Sequence, residues 1–503
     1  MHRIRALGLL TATALLAGAC GGGSPTPSPA ASAVSSEQPS VEASASASPV
    51  AEASPTAPPT VPPGGPVTIT WFCCLGGGDE ESQQKTFAEL VTSFEATHPN
   101  IKVKIDHTAY EGARQAFAVK LASGTPPDVV GPLGIGGANA FDGQWLDLQP
   151  YIDKNQVDLT GYDPTILQLY QQQGQGRVGI PFAIYPSELY YQPDMFDEAG
   201  LQYPPDAYGK QYQMPDGTMV DWNYDTLRQI ALLLTVDKTG KNATEAGFDP
   251  TKIVQYGFEP QRDDLRTIGA GFFQQARLLA DDGKTAQIPD AWRAAWHWIY
   301  DGIHKDHFIM SDQVYQTPEF MGGYDAFNSG KVAMNENFLW SVCCITEAGG
   351  NWNLAALPSY QGKVTAPTNA DTFRITKNSK HPDEAFEFLR YLVQGDGKTK
   401  MLNAISGFPA LKADQPSFFQ QLEQQLDAKG KAIYPPNVNW DVVTAAIPFA
   451  DVQMNTESVM PNYNKSLDVL VKYLTRFTGK DGLDVDAELT KMQQELQAAF
   501  NGG

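Results

Sequence analysis

The chain beyond residue 66 opens with strand and helix patterns that alternate. Residues 67–72 alternate apolar and polar side chains as a strand does, and apolar residues at helical spacing follow within 87–94. A second alternating segment covers 101–105, a second helical pattern covers 117–122, and 128–130 has the character of a buried strand. This order predicts an α/β fold with a mostly parallel sheet, in which ligands approach the carboxyl ends of the strands.

The globular part is too long for one hydrophobic core. About 437 residues follow Pro66, which predicts two lobes. The chain has a formal net charge of −21, which argues against binding to nucleic acid or to an anionic membrane surface. The most apolar later run, 467–474, is interrupted by Asp468, Lys472 and Tyr473, so no transmembrane segment is predicted there.

The N-terminus has the pattern of an export signal. A basic segment at 1–5 precedes an apolar core at 6–16 that is too short to span a bilayer. Small residues then lead into Cys20, which resembles the lipobox of bacterial lipoproteins, although Leu16 stands four residues before the cysteine instead of three. We therefore expect a signal peptide at 1–19 and a lipid on the cysteine. The alternative is ordinary secretory cleavage, and both place the mature protein outside the cytoplasm.

Residues 20–66 are predicted to comprise the lipidated cysteine and a tether. After the cysteine nearly all residues are Gly, Ser, Pro, Ala, Thr or Val, and the charged residues are Glu37, Glu42 and Glu52. Such a segment cannot bury enough apolar surface to offset its ordering entropy, so we expect a disordered chain with polyproline II character. A flexible chain of this length has a root-mean-square span of about 35–40 Å.

Four further cysteines form two adjacent pairs, Cys73-Cys74 and Cys343-Cys344. Because exported proteins can keep disulfides, each pair can close a vicinal ring, or the two pairs can bond to each other across the fold. Four thiolates on a zinc ion are the third arrangement. Structural zinc sites usually space their cysteines by a few residues, however, so no metal site is predicted.

A series of motifs runs through residues 67–501. They are ITWFCCLGGG, FAELVTSFEATHPNIKVKI, KLASGTPPDVV, GQWLDLQPYI, GIPFAIYPSELYYQPDMFDEAGLQYPP, FNSGKVAMNENFLW, NSKHPDEAFEFLRYLV and SGFPAL. In this order and spacing they resemble the extracellular solute-binding proteins of ABC importers, in the carbohydrate-binding group that includes maltose-binding protein.

The resemblance implies a two-lobed, periplasmic-binding-protein-like α/β fold whose discontinuous lobes are joined by crossing hinge segments. The crossings are expected near 181–186, 365–372 and 434–439. The implied lobe boundaries are 67–183 and 369–436 for the N-lobe, and 184–368 and 437–503 for the C-lobe.

The resemblance also implies a function. A protein of this kind captures a carbohydrate by lobe closure and delivers it to the transmembrane subunits of an ABC permease. We expect a monomer at the outer face of the bacterial cell membrane, held only by the lipid on Cys20, without a cofactor or catalytic residues. Related proteins also bind polyols and glycerol phosphates, so a non-sugar solute is an alternative.

A secreted carbohydrate-active enzyme is the alternative from another functional class. Paired carboxylates can hydrolyse glycosidic bonds, and adjacent acids occur at 263–264 and 281–282. Neither pair stands in a catalytic motif, and the sequence contains no G-x-S-x-G or H-E-x-x-H. Catalysis is therefore not predicted.

The predicted binding site combines aromatic and polar side chains, because a neutral sugar presents apolar C–H faces ringed by hydroxyl groups. By the resemblance, Trp340 matches a sugar-stacking tryptophan of maltose-binding protein, and Tyr185 matches a ligand-contacting position where that protein has glutamate. The further predicted contacts are Tyr110, Asn337, Asp371, Trp440 and Glu188, with Cys73 and Cys74 as a vicinal disulfide that offers a platform to a sugar face.

Overall fold

The computed structural model describes residues 66–502, apart from 135–136, 139, 173, 263–272, 274–276, 321–325, 344, 346–350, 427–428, 452–459 and the side chain of Cys343. The predicted signal peptide, Cys20, the tether as far as residue 65, and Cys344 therefore lie outside the described residues.

The described strands and helices follow one another along the whole globular part. The strands are β1 (Val67–Cys73), β2 (Ile101–His107), β3 (Val129–Leu133), β4 (Gln171–Gln172), β5 (Gly176–Arg177), β6 (Ala183–Tyr191), β7 (Gln211–Gln213), β8 (Met219–Asp221), β9 (Val236–Asp237), β10 (Ile253–Gln255), β11 (Glu259–Pro260), β12 (Met334–Phe338), β13 (Asn353–Ala355), β14 (Thr368–Ile375) and β15 (Phe408–Pro409). The helices are α1 (Glu81–Thr97), α2 (Tyr110–Ala122), α3 (Gln149–Lys154), α4 (Pro164–Gln168), α5 (Pro193–Ala199), α6 (Tyr224–Leu234), α7 (Asp290–His304), α8 (Asp312–Tyr315), α9 (Pro382–Val393), α10 (Lys398–Ala404), α11 (Gln415–Glu423), α12 (Asp441–Ala446), α13 (Tyr463–Gly479) and α14 (Val485–Phe500).

The predicted strand–helix–strand–helix–strand order is confirmed at the start of the globular part. β1 pairs in parallel with β2 along its whole length, and its residues Trp71 and Phe72 pair in parallel with β3. α1 buries Phe87, Leu90 and Phe94. Because the three strands are parallel, their carboxyl ends lie at one edge of the sheet, where the loops after β1 and β2 meet.

Two long strands, β6 and β14, join the two halves of the main sheet. In the described part of the chain its strand order is β11-β12-β6-β14-β3-β1-β2, and β13 and β15 also pair with β6. Residues 368–371 of β14 pair with 183–186 of β6, whereas 372–375 pair with β3. Residues 187–191 of β6 pair with β12. Each long strand thus contributes to both halves of the sheet, where two of the crossing segments are predicted.

Amphipathic helices cover the sheet and bury their apolar faces. The aromatic stripe of α7, which includes Trp292 and Trp296, is buried. α9 has Pro382 in its first turn, where the missing N–H is not needed, and it buries Phe386 and Leu389. Within the ranges that the structure describes, no helix combines the length and apolarity required to cross a bilayer.

Candidate ligand-binding site

A cavity of about 500 Å³ lies where the segment after β12 meets α10 and α11. Its lining combines apolar and aromatic surface with amide and hydroxyl groups, and it includes no acidic or basic side chain. The lining residues are Leu339, Trp340, Val342, Leu402, Asn403, Ser406, Phe418, Gln421, Leu422, Gln425, Ile433 and Tyr434.

Trp340 reaches this cavity because β12 ends two residues before it. A 3₁₀ turn, Leu339–Cys343, follows the strand and carries the indole. The centroid of the indole ring lies 4.3 Å from that of Phe338 and 5.7 Å from that of Tyr185. The side chain is only partly buried. An indole that is held by two aromatic neighbours and borders a cavity can stack on an apolar ligand face.

Tyr185 and Asp371 lie on the two crossing strands beside this aromatic group. In the β6–β14 pair, Tyr185 stands opposite Asn369 and Asp371 stands opposite Ala183. Burial raises the pKa of the Asp371 carboxyl to about 7. Burial, together with the nearby Asp371, raises the pKa of the Tyr185 hydroxyl well above its usual value. The tyrosine therefore stays neutral at physiological pH. Neither side chain lines the cavity, so their contact with a ligand stays a prediction.

Asn337 and Glu188 stand opposite each other in the β12–β6 pair, and both are buried. The Asn337 amide donates to Oδ1 of Asn335 at 3.0 Å, and the Asn337 Oδ1 accepts from the backbone N–H of Phe338 at 2.8 Å. Glu188 has no exposed surface, and burial raises the pKa of its carboxyl well above the usual range. Neither residue lines the cavity, so a ligand contact through either stays a prediction.

Trp440 and Tyr110 differ greatly in burial. Trp440 is 5% exposed, and its ring stacks on Phe419 at 5.3 Å and meets the edge of Tyr434 at 6.0 Å. It therefore supports the cavity wall from behind, because Tyr434 is a lining residue. Tyr110, the first residue of α2, is 51% exposed and does not line the cavity. A direct contact of either residue with a ligand stays a prediction.

The sulfur atoms of Cys73 and Cys74 lie in contact, in the arrangement of a vicinal disulfide. Both residues have no exposed surface, and they pack below Gly78, where an added Cβ would collide with both sulfurs. The pair does not line the cavity. The disulfide and its role as a sugar platform stay predictions, and the side chains of Cys343 and Cys344 lie outside the described residues.

The amide groups of the cavity were not predicted from the sequence. Asn403 lies in the last turn of α10, and Ser406 follows that helix within the SGFPAL motif. Gln421 lies in α11 and Gln425 follows one turn later. The motif could have indicated Ser406. The two glutamines resemble any polar helix face, so no local pattern distinguishes them.

Together the fold and the cavity define a binding protein. Two halves of a sheet are joined by crossing strands, and an uncharged cavity offers aromatic and hydrogen-bonding groups. Such a cavity is suited to hold a small ligand.

The chain belongs to the bacterial extracellular solute-binding protein family, whose model matches residues 77–398, more than half of the chain. The structure is similar to that of MalE, the sugar-binding protein of Xanthomonas citri, with a TM-score of 0.64, 17% identity, and coverage of 87% of this chain and 98% of that one. It is also similar to an ABC substrate-binding protein of Listeria monocytogenes in complex with cycloalternan, with a TM-score of 0.59, 16% identity, and coverage of 86% and 99%.

One relative compared by sequence is named as an uncharacterized lipoprotein in the oleD 5′ region of Streptomyces antibioticus. It is 21% identical over 345 residues, which cover 66% of this chain and 67% of that protein. The predicted family and the predicted two-lobed α/β fold are therefore confirmed. The family is one of solute-binding proteins, and the similar structures are also of binding proteins. The exact lobe boundaries stay predictions.

Proposed function

We propose that the protein is a lipid-anchored receptor that binds a carbohydrate between its lobes and delivers it to the permease of an ABC importer. The observation that carries the proposal is the cavity beside Trp340, which offers an indole face together with amide and hydroxyl groups. A saccharide needs both, because stacking covers its C–H faces and neutral polar groups bind its hydroxyls. The sugar-binding and cycloalternan-bound proteins of the same fold support this choice.

The uncharged lining favours a neutral saccharide over a glycerol phosphate. A phosphate is usually bound by arginine, by lysine or by the N-terminus of a helix. No residue that lines the described cavity is basic. Glycoside hydrolysis is equally disfavoured there, since no pair of carboxylates lines the cavity.

Lobe closure is the proposed mechanism. Trp340 belongs to the predicted C-lobe, whereas Asn403 and Gln421 belong to the predicted N-lobe, so one ligand can contact both. A ligand that contacts both lobes binds the closed state more tightly than the open state. This difference in affinity sets how far it shifts the protein towards closure. We expect the radius of gyration, measured by small-angle X-ray scattering, to fall at saturating sugar. Unchanged scattering would contradict closure.

Calorimetric titration with a panel of mono- and oligosaccharides tests the proposal, and product analysis distinguishes a receptor from a hydrolase. A receptor binds a member of the panel and returns it unchanged. Release of shorter sugars would overturn the proposal in favour of an enzyme.

Trp340→Ala is expected to weaken the affinity for the bound sugar by about 10–100-fold, because burying an aromatic side chain against a ligand contributes roughly 1.5–3 kcal/mol. Tyr203→Ala is the control, since Tyr203 is an exposed aromatic residue that does not line the cavity. It is expected to bind sugar as the natural protein does. Equal affinities of the two variants would show that the ligand binds elsewhere.

A further inference from the structure

Three different metal-binding side chains meet where the loops after β1 and β2 approach each other. One sulfur of Cys74, one carboxylate oxygen of Asp79 and one ring nitrogen of His107 all lie within 4.8 Å of one another. None of these residues lines the cavity beside Trp340. The group therefore lies outside the cavity on which the proposed function rests.

Strand pairing explains how the sequence brings these residues together. Cys73 and His107 are partners at the ends of the parallel strands β1 and β2. The backbone continues the pairing beyond the strands, because the N–H of Cys74 donates to the carbonyl of Thr108 at 3.2 Å. The cysteine pair therefore lies beside the end of β2, with the sulfur of Cys74 within 4.8 Å of a ring nitrogen of His107.

A glycine-rich turn brings the carboxylate back over the sulfurs. Gly78 has a φ of +129° and lies against both sulfurs, so any side chain there would fill this space. Asp79 follows directly, and its Oδ2 accepts from the backbone N–H of Tyr110 at 2.7 Å. Its Oδ1 lies 3.7 Å from Nε2 of His107. The carboxylate is thus held over the cysteine pair.

The donor set fits zinc once the sulfur is a thiolate. Thiolate, imidazole and carboxylate bind Zn²⁺ at about 2.0–2.3 Å, which places neighbouring donors about 3.3–3.8 Å apart around a tetrahedral ion. The distance of 3.7 Å between Asp79 Oδ1 and His107 Nε2 falls within that range, and the sulfur of Cys74 lies within 4.8 Å of both residues' ligand atoms. Asp79 and His107 are partly open to solvent, with side chains 40% and 32% exposed, so an ion has a path to the buried sulfur. A disulfide sulfur carries no thiolate charge and is a poor ligand.

We propose that reduction of the Cys73–Cys74 pair creates a zinc site formed by Cys74, Asp79 and His107. A dithiol reductant supplies two electrons and two protons, the S–S bond breaks to give two thiols, and the reductant closes to its own cyclic disulfide. Zn²⁺ then displaces the proton from the Cys74 thiol, and the released proton goes to solvent. Cys73 or a water molecule completes the coordination. Thiol–disulfide exchange with a small-molecule disulfide reverses the process: that disulfide takes up two electrons and becomes two thiols, the Cys73–Cys74 bond forms again, and the ion is released.

The experiment compares zinc binding by the oxidised and the reduced protein. The other thiols are first removed with Cys20→Ser, Cys343→Ser and Cys344→Ser, so that only the proposed pair remains. One sample is kept oxidised, and the other is reduced with dithiothreitol and desalted without oxygen. Titration against a chromogenic chelator is expected to show one zinc per reduced protein and an affinity at least about 100-fold above that of the oxidised protein. Cobalt added in place of zinc is expected to give a thiolate-to-metal absorption band only after reduction.

Single variants then identify the ligands. His107→Gln and Asp79→Asn are each expected to weaken zinc binding by the reduced protein by about tenfold or more, and Cys74→Ser is expected to abolish the cobalt band. His297→Gln is the matched control, because His297 lies 3.3 Å from Asp486 in a similar pair that includes no cysteine. It is expected to leave zinc binding unchanged.

Two outcomes would overturn the proposal. One is equal zinc affinity before and after reduction, and the other is tight binding that His107→Gln and Asp79→Asn do not weaken. Thermal melts of each variant show whether it is folded. Sugar binding is measured separately, on the oxidised protein. A negative zinc result therefore leaves the proposed receptor function untouched, and a negative sugar result leaves the zinc site untouched.

Discussion

Carboxyl groups whose pKa is raised by burial make the stability of this protein depend on pH near neutrality. Glu336 in β12 is 2% exposed, and burial raises the pKa of its carboxyl to about 8, although the nearby Tyr224 hydroxyl partly offsets the shift. Burial also raises the pKa of Glu188 and Asp371. The folded protein therefore keeps protons that the unfolded chain releases. The stabilising contribution of Glu336 is complete below its unfolded pKa of about 4.5 and is lost as the pH rises through 8.

Glu336→Gln is expected to flatten the decline of the melting temperature between pH 5 and pH 8. Glutamine keeps the size and polarity of the side chain but does not ionise, so we expect the decline to become smaller by roughly 2–6 °C. Melting temperatures measured by calorimetry at several pH values, for this variant and the natural protein, test the prediction.

Glu89→Gln is the control for this change. Glu89 is exposed and hydrogen-bonded to Lys400, which lowers the pKa of its carboxyl, so its contribution is lost only at more acidic pH. The slope of this variant between pH 5 and pH 8 is expected to match the natural protein. If Glu336→Gln retained that slope as well, Glu336 would not be the group that titrates.

At the scale of single elements, β12 shows where local patterns fail to predict structure. Its sequence, Met-Asn-Glu-Asn-Phe, is polar at its centre, yet all five residues are buried. The strand lies between β11 and β6, and Nδ2 of Asn335 finds a partner there, because it donates to the backbone carbonyl of Glu259 at 2.8 Å. Tertiary partners therefore outweigh intrinsic strand preference. By contrast, the signals of α9 are local: Pro382 stands in its first turn, and its apolar face continues to Val393.

The loop after β1 is expected to tolerate no side chain at Gly78. A Cβ there would lie 2.8 Å from Cε2 of Phe87 and collide with both cysteine sulfurs, in addition to the strained φ of +129°. Gly78→Ala is expected to lower the free energy of unfolding by about 2–4 kcal/mol, from left-handed strain and overpacking together. Urea unfolding of the folded variant measures the loss.

Gly124→Ala distinguishes the cost of the backbone conformation from the cost of crowding around the added Cβ. Gly124 also has a positive φ, +73°, but within the described part of the chain no atom beyond its two neighbours in sequence lies within 4 Å of an added Cβ. This variant is expected to lose only about 1–2 kcal/mol, the cost of the backbone conformation. Equal losses at both glycines would show that crowding around the sulfurs is unimportant.

At the scale of the whole molecule, attachment and binding are expected to be separable. The proposed lipid is on Cys20, whereas the residues that line the cavity fall between 339 and 434. Cys20→Ser is expected to move the protein from the membrane fraction to the medium without changing its affinity for sugar. Cell fractionation and calorimetry measure the two effects. A variant that stayed in the membrane fraction would contradict the lipid anchor.

The sequence by itself determined the order of the first strands and helices, the family and the two-lobed fold, and the family resemblance predicted Trp340 as a ligand contact. These features depend on apolar periodicity and on motifs that are local in the chain. Only the tertiary structure decided that Asn403, Gln421 and Gln425 form the polar lining, and that Glu188 and Asn337 are buried in the sheet. The physical reason is that a cavity wall and a buried strand pair are formed by segments that are distant in sequence. A local sequence pattern does not show which distant segments will contact each other.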